Sequence, residues 1–251
     1  MSKINKHYLI LTFSIMLFFW GICFVCGING IFLNKYYALY IPYLLGGLSP
    51  TIASYIVLKK SGDIGGFKDW LKIVFRFKGV RASSYLAVVV FAVAYILPLC
   101  LVSGFENGIP IFFLPLLIPF MLIGGGLEEH GWRSVFQPEL EKKFSFTLST
   151  IITAVVWCVW HLPLFVIPGV GQYGMNFAIF SVGGIGLSFA LASLRKNTNS
   201  VMLCVLLHCT TNALSGVFIV KENMLGAIVS AAALILLSYG MTSLKNKALR
   251  V

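Results

Sequence analysis

The stretch Ile109–Gln137, IPIFFLPLLIPFMLIGGGLEEHGWRSVFQ, joins two sequences of opposite character. Up to Ile123 it is apolar, and beyond Gly124-Gly125-Gly126 it carries Glu128, Glu129, His130 and Arg133. A bilayer's ~30 Å hydrocarbon core needs about 20 helical residues. The stretch is therefore long enough to span, and it reads as one long span into which three charges have been set. A charge at the middle of a bilayer costs about 2.5 to 3.5 kcal/mol on an insertion scale, so such groups are expected to be paired and functional.

The rest of the chain supports a membrane reading. Of 251 residues, 59% are hydrophobic and only 11% charged, with a mean hydropathy of +0.92. A soluble domain carries roughly 25% charged residues, so most of this surface must be solvated by lipid. Seven further apolar segments fall near Tyr8–Gly27, Leu39–Leu58, Ser84–Val102, Phe146–Ile167, Met175–Leu194, Val201–Ile219 and Met224–Leu244. The first is too long for a signal-peptide core and has no small-x-small cleavage site, so it reads as a retained span. The expectation is an all-α, polytopic transmembrane bundle of about eight spans. It would form a single membrane domain over residues 1–251, with a motif-bearing core at about 109–219.

Charge sets the orientation. The N-terminus, the loop 59–81, the loops holding Lys142-Lys143 and Arg195-Lys196, and the C-terminus hold sixteen basic residues, whereas the alternate loops hold only Lys35 and Lys221. The positive-inside rule then puts both termini in the cytoplasm, for a bacterial cell membrane as the expected location. The net charge of +11 is spread loop by loop, which sets aside nucleic acid as a partner. Within the second basic loop, FKDWLKIVFRFK (Phe67–Lys78) interleaves Trp70, Leu71, Val74 and Phe75 with cations, the pattern of an amphipathic helix in the headgroup plane.

All six cysteines fall in proposed spans and read as inert buried thiols, the Cys23-x-x-Cys26 pair included. Gly184, Ser188 and Ala192 recur every four residues and mark a close helix contact, packing rather than chemistry. The polar residues inside the spans pair at helical spacing. Glu129 with Arg133, Trp157 with His161, and His208 with Asn212 are each i and i+4, so each pair shares one helix face. Glu128 points about 100° around from Glu129.

These residues resemble a known family. Glu128-Glu129-His130-Gly131-Trp132-Arg133 matches E-E-x-x-x-R, Trp157 to His161 resembles F-x-x-x-H, and His208 to Asn212 matches H-x-x-x-N/D. All three in order, in separate helices, are the signature of the CAAX-protease and bacteriocin-processing (Abi) intramembrane proteases, over about Gly124 to Leu214. Trp157 stands where the family usually has Phe, and Ser134 follows the arginine where Gly is common. The resemblance implies an intramembrane endopeptidase in which Glu128 is the general base and His161 holds or activates the water. His208 and Asn212 would donate to the oxyanion. Glu129 and Arg133 would orient the helix, Arg133 would also help to keep Glu128 ionised, and Trp157 would fix the ring of His161. The substrate would be a peptide or protein segment near the membrane; in a bacterium, bacteriocin or pheromone maturation, or self-immunity, fits better than a prenylated CAAX protein.

Alternatives remain at this level. A glutamate with two histidines is also a zinc set, so zinc held by Glu128, His161 and His208 is the alternative to a mechanism with no cofactor. The lack of an H-E-x-x-H helix and the amide at Asn212 favour the metal-free form. A transporter relay is a second class, but no inverted repeat accompanies the polar cluster. A non-catalytic scaffold or immunity protein is a third, and the retained Glu128, His161, His208 and Asn212 argue against it.

Overall fold

The computed structural model describes residues 2–75 and 80–248, with the side chains of 244–248 excepted. It is a helical bundle. The helices are α1 (Lys3–Ile28), α2 (Tyr40–Gly47), α3 (Ser49–Ser61), α4 (Phe67–Val74), α5 (Ala82–Ser103), α6 (Leu114–Phe120), α7 (Glu129–Gly131), α8 (Gln137–Glu141), α9 (Phe146–His161), α10 (Phe177–Thr198), α11 (Val201–Val217) and α12 (Met224–Ala248). Two three-residue strands, β1 (Phe105–Asn107) and β2 (Phe218–Val220), pair antiparallel, with Phe105 opposite Val220.

Local chemistry sets the helix ends. Ser2, Ser145, Asn176 and Ser200 each accept a backbone N–H from the first turn of the helix that follows, the ordinary N-cap bond. Gly62, with φ of 83°, closes α3 in the left-handed conformation that glycine adopts without strain. Pro50, at the start of α3, suits a helix beginning, and α3 is bent by 46° from the α2 segment.

Among the described residues, five helices are long and apolar enough to cross a membrane, or six if the bent α2–α3 pair counts as one span. The eight expected segments are all present, but two fall short of an ordinary span. The seventh, α11, has 17 residues before the chain turns into β2. The fourth departs most from expectation, because Ile109–Gln137 is not one helix. Its apolar half forms α6 and ends at Phe120. The chain then passes Gly125 at φ of 138°, a backbone conformation that suits glycine. It restarts as a 3₁₀ turn at Gly126–Glu128, continues through α7, widens to a π-helix at Trp132–Phe136 and ends as α8. Hydropathy averages over such a break and cannot register it.

Aromatic packing fixes this irregular segment. Trp132 meets Tyr8 edge-on at 5.6 Å and Trp160 at 6.0 Å, and Trp160 lies 4.8 Å from Trp20, which ties α1 and α9 to the π-turn. Asn5 donates to the Phe136 carbonyl at 3.1 Å. Gly131 lets α1 and α3 approach this segment closely, since a β-carbon there would collide with the Tyr8 hydroxyl and the Pro50 carbonyl.

The expected amphipathic helix is present as α4, with Lys68 and Lys72 exposed. Its apolar face is not simply laid on lipid. Trp70 and Val74 are buried against Ile64, and the Trp70 indole donates to Ser54 at 3.3 Å. Arg76 and Lys78 lie outside the described residues, as does Arg250 at the C-terminus. His130 is buried against Trp70 and Phe75, on the α4 side of its segment. The stripe on α10 needs a correction. Gly184 does sit against Cys158 and Trp157, but the tightest approach, to Ala231 of α12, is at Gly186. Ser188 is more than packing, because it receives a hydrogen bond from Arg133 at 3.0 Å.

Candidate active site

Glu128, Trp157, His161, His208 and Asn212 all line one cavity of about 550 Å³. The chain brings them from three places: the 3₁₀ turn before α7, the last turns of α9, and the middle of α11. The carboxylate of Glu128 and both rings are nearly sealed, at 6%, 7% and 3% exposure, so their partners dictate their chemistry.

Glu128 accepts a hydrogen bond at Oε2 from the Trp157 indole N–H, at 2.9 Å. Its Oε1 faces Gly125, 3.5 Å from where a β-carbon would stand. The same point lies 2.7 Å from Asn212 Nδ2 and 3.1 Å from His208 Nε2. Gly125 thus leaves open a small space on which a carboxylate oxygen, an amide nitrogen and an imidazole nitrogen converge. Any side chain there would fill it.

The two histidines are oriented by their other nitrogens. His161 Nδ1 lies 2.8 Å from the Trp157 carbonyl, which can only accept, so Nδ1 carries the hydrogen and Nε2 is left with a lone pair. His208 Nδ1 lies 2.9 Å from Glu129 Oε1 and is the donor by the same reasoning. Trp157 stands edge-on to both rings, 4.9 Å from His161 and 5.6 Å from His208. Sequence reasoning placed Trp157 against His161 and missed its bond to Glu128, which depends on how α9 rotates against the 3₁₀ turn.

Glu129 and Arg133 do not line the cavity. They are fully buried behind it, with Glu129 Oε2 3.1 Å from Arg133 Nε, close as an ion pair although the N–H is out of line for a hydrogen bond. Arg133 spends its remaining donors on Gln137 Oε1 and Ser188 Oγ, both at 3.0 Å. Gln137 passes the network to Thr150 at 3.1 Å and Glu141 at 2.9 Å. Glu129 therefore sits between the Arg133 guanidinium and the His208 ring. Ser188 read only as part of the small-residue stripe, and that it faces the arginine is revealed only by the fold, whereas Gln137 stands four residues from Arg133.

Behind the site, Thr51 donates to the Leu127 carbonyl at 2.6 Å and the Trp160 indole to Ser49 at 3.1 Å. The first bond locks α3 to the turn that carries Glu128, and the second locks α3 to α9. Asn212 Nδ2 donates one hydrogen to the Gly124 carbonyl at 3.1 Å, leaving its second N–H free for the cavity. Among the described residues, no three His, Cys, Asp or Glu side chains are disposed to hold a metal ion.

Comparison with known proteins agrees with this geometry. Residues 110–214 match the family described as Type II CAAX prenyl endopeptidase Rce1-like. The matched stretch is similar to that family over about two-fifths of the chain, and it contains every residue of the cluster, from Glu128 to Asn212. Over 229 residues the chain is also 27% identical to the CAAX prenyl protease 2 of Methanococcus maripaludis, an alignment covering 82% of each chain. The apolar helices point to an integral membrane protein, and both likenesses are to CAAX-type proteases.

Proposed function

We propose that this protein is an intramembrane endopeptidase that hydrolyses a peptide bond in or beside the bilayer with a water activated by Glu128. The observation that carries the reading is the convergence of Glu128, His208 and Asn212 on the open space at Gly125. Glu128 Oε2 is held by Trp157, which leaves Oε1 to take a proton from water. The Nε2 lone pair of neutral His161 accepts the water's other hydrogen and aims its oxygen at the scissile carbonyl. Cleavage builds negative charge on that carbonyl oxygen. Asn212 Nδ2 donates to it, and so does His208 Nε2 once the ring carries both protons, a form that the carboxylate of Glu129 stabilises. The proton held on Glu128 then passes to the leaving amine.

The donor set does not present a metal-binding triad, so no step is routed through zinc. Zinc on Glu128, His161 and His208 remains the contrasting mechanism, and the fixed Nδ1 partners of both rings are the one feature that favours it. The test is cleavage of candidate peptides by the purified protein in detergent, comparing wild type with Glu128→Ala and His208→Ala, with and without chelator. Equal cleavage by wild type and Glu128→Ala overturns the glutamate mechanism. Loss on chelation, restored by zinc, installs the metal one.

The same reading gives the direction of approach. The cavity reaches the loops at 171–175 and 218–223, while Lys3, Lys6, Lys59, Lys60, Lys142, Lys143, Arg195 and Lys196 lie at the other helix ends. If those basic ends face the cytoplasm, as the positive-inside rule has it, the substrate meets the enzyme from the outer face. This suits a peptide in transit across a bacterial membrane, such as a bacteriocin or pheromone precursor, better than a cytosolic protein. A C-terminal green fluorescent protein fusion should fluoresce and an alkaline phosphatase fusion should be inactive; the reverse pair of results sinks this orientation.

A further inference from the structure

At the cavity mouth lies a feature that hydrolysis itself does not require, the two-stranded sheet of β1 and β2. Two bonds fix how it is paired. Gly108 N–H donates to the Val217 carbonyl at 2.8 Å, and Lys221 N–H donates to the Gly104 carbonyl at 3.1 Å. With the register Phe105 to Val220 and Glu106 to Ile219, the residues whose backbone groups face β1 are Val217, Ile219 and Lys221. In an antiparallel ladder the intervening residues turn their N–H and C=O groups to the opposite edge. Those residues are Phe218 and Val220. The Phe218 N–H is already given to the Leu214 carbonyl at the end of α11. The Phe218 carbonyl and both backbone groups of Val220 are left on an edge that no strand covers among the described residues.

This edge borders the cavity. Phe218, Ile219 and Val220 all line it, as do Gln172 and Met175 of the loop that Glu222 clasps, through the Asn176 N–H at 2.7 Å. The strand also continues directly from the helix that bears His208 and Asn212. From Asn212 to Phe218 is about 9 Å at helical rise, which an extended peptide rising ~3.3 Å per residue covers in about three residues.

We propose that the substrate binds as an extended strand added to the free edge of β2, pairing with the Phe218 carbonyl and the Val220 backbone, so that its scissile bond falls about three residues away beside Gly125. Backbone pairing of this kind supplies affinity that is blind to side chains and leaves selection to the pockets on either side. It rests on the protease reading. It adds that the substrate must be unwound where it is cut, so a segment that is helical in the membrane has to open before it is cleaved.

Two measurements test it, both on the full-length protein in detergent. A fluorogenic decapeptide that the wild type cleaves is resynthesised with a single N-methyl group at each position in turn. The expected result is a rise in KM of about tenfold at alternate positions on one side of the scissile bond, with kcat little changed, as loss of one hydrogen bond predicts. Uniform tolerance of N-methylation overturns the proposal while leaving the protease reading intact. Val220→Pro, which deletes the donor, should raise KM by a similar factor relative to Val220→Ala, which keeps it; equal KM values overturn the proposal as well. Failure of the wild type to cleave any peptide sinks both readings together.

Discussion

Helices α1, α5, α9 and α10 are all apolar enough to span a membrane, α1 and α5 the more so, and the spanning window is 22% buried in those two and 56% buried in the other two. The outer pair turns its large side chains to the surrounding medium, with Phe18 at 65% exposure and Leu101 at 76%. The inner pair faces protein, and beside large buried residues such as Trp160 and Leu191 it sets small or polar ones, among them Gly184, Ser188 and His161. Apolar sequence therefore has two uses. On α1 and α5 it is the solvation requirement of the bilayer. On α9 and α10 it surrounds a buried polar network, whose members are held by one another because lipid offers no alternative partner.

That contrast can be broken by substitution, and the largest effect belongs to the inner region. Glu128→Gln keeps the shape and removes the base, so kcat should fall by about a thousandfold while thermal unfolding in detergent stays within a few degrees of wild type. An active Glu128→Gln would make the cluster a structural network and no more. Arg133→Ala should instead be read in stability. It strands Glu129 and frees Gln137 and Ser188, at a cost of about 3 kcal/mol or more, typical of a buried pair that loses one partner; a variant that unfolds like wild type would show that the network is dispensable.

Trp157→Phe sharpens the comparison at a finer level. It keeps an aromatic ring beside both histidines and removes only the N–H that holds Glu128. A hydrogen bond to a charged group is worth about 1.5 to 3 kcal/mol, and loss at the lower end lowers kcat by about tenfold, with the fold unchanged by circular dichroism. An unchanged kcat would mean that Glu128 finds its position without the indole. The smallest effect lies outside. Leu101→Ala on α5 should shift stability by no more than about 0.5 kcal/mol and leave cleavage untouched, and a large loss there would place α5 among the working helices.

The same contrast explains what the sequence disclosed. Spans on the outer region were legible because hydropathy is their whole requirement, and α1, α5 and α12 lie close to where it puts them. The i and i+4 pairs were legible too, since helix geometry alone brings Glu129 to Arg133 and His161 beneath Trp157. What escaped were relations between elements. The bond from Trp157 to Glu128, the Ser188 anchor for Arg133 and the hold of Thr51 on the Leu127 carbonyl depend on rotations and translations that no one segment encodes. The break at Gly124 to Glu128 was half visible, as three glycines and a change of polarity. That it would split a span into 3₁₀, α and π turns follows from contacts with α1, α3 and α11.

The distribution of the site along the chain also bears on how the protein is made. Glu128, His161 and His208 follow one another along the chain on the 3₁₀ turn, α9 and α11, with Asn212 one turn beyond His208. During synthesis the first two enter the membrane before the others exist, and Glu129 waits for His208 with only Arg133 beside it. Hydrolytic competence would therefore arrive in one step, when α11 docks. A chain stalled or truncated before that point would be inert, and so harmless to the membrane that holds it.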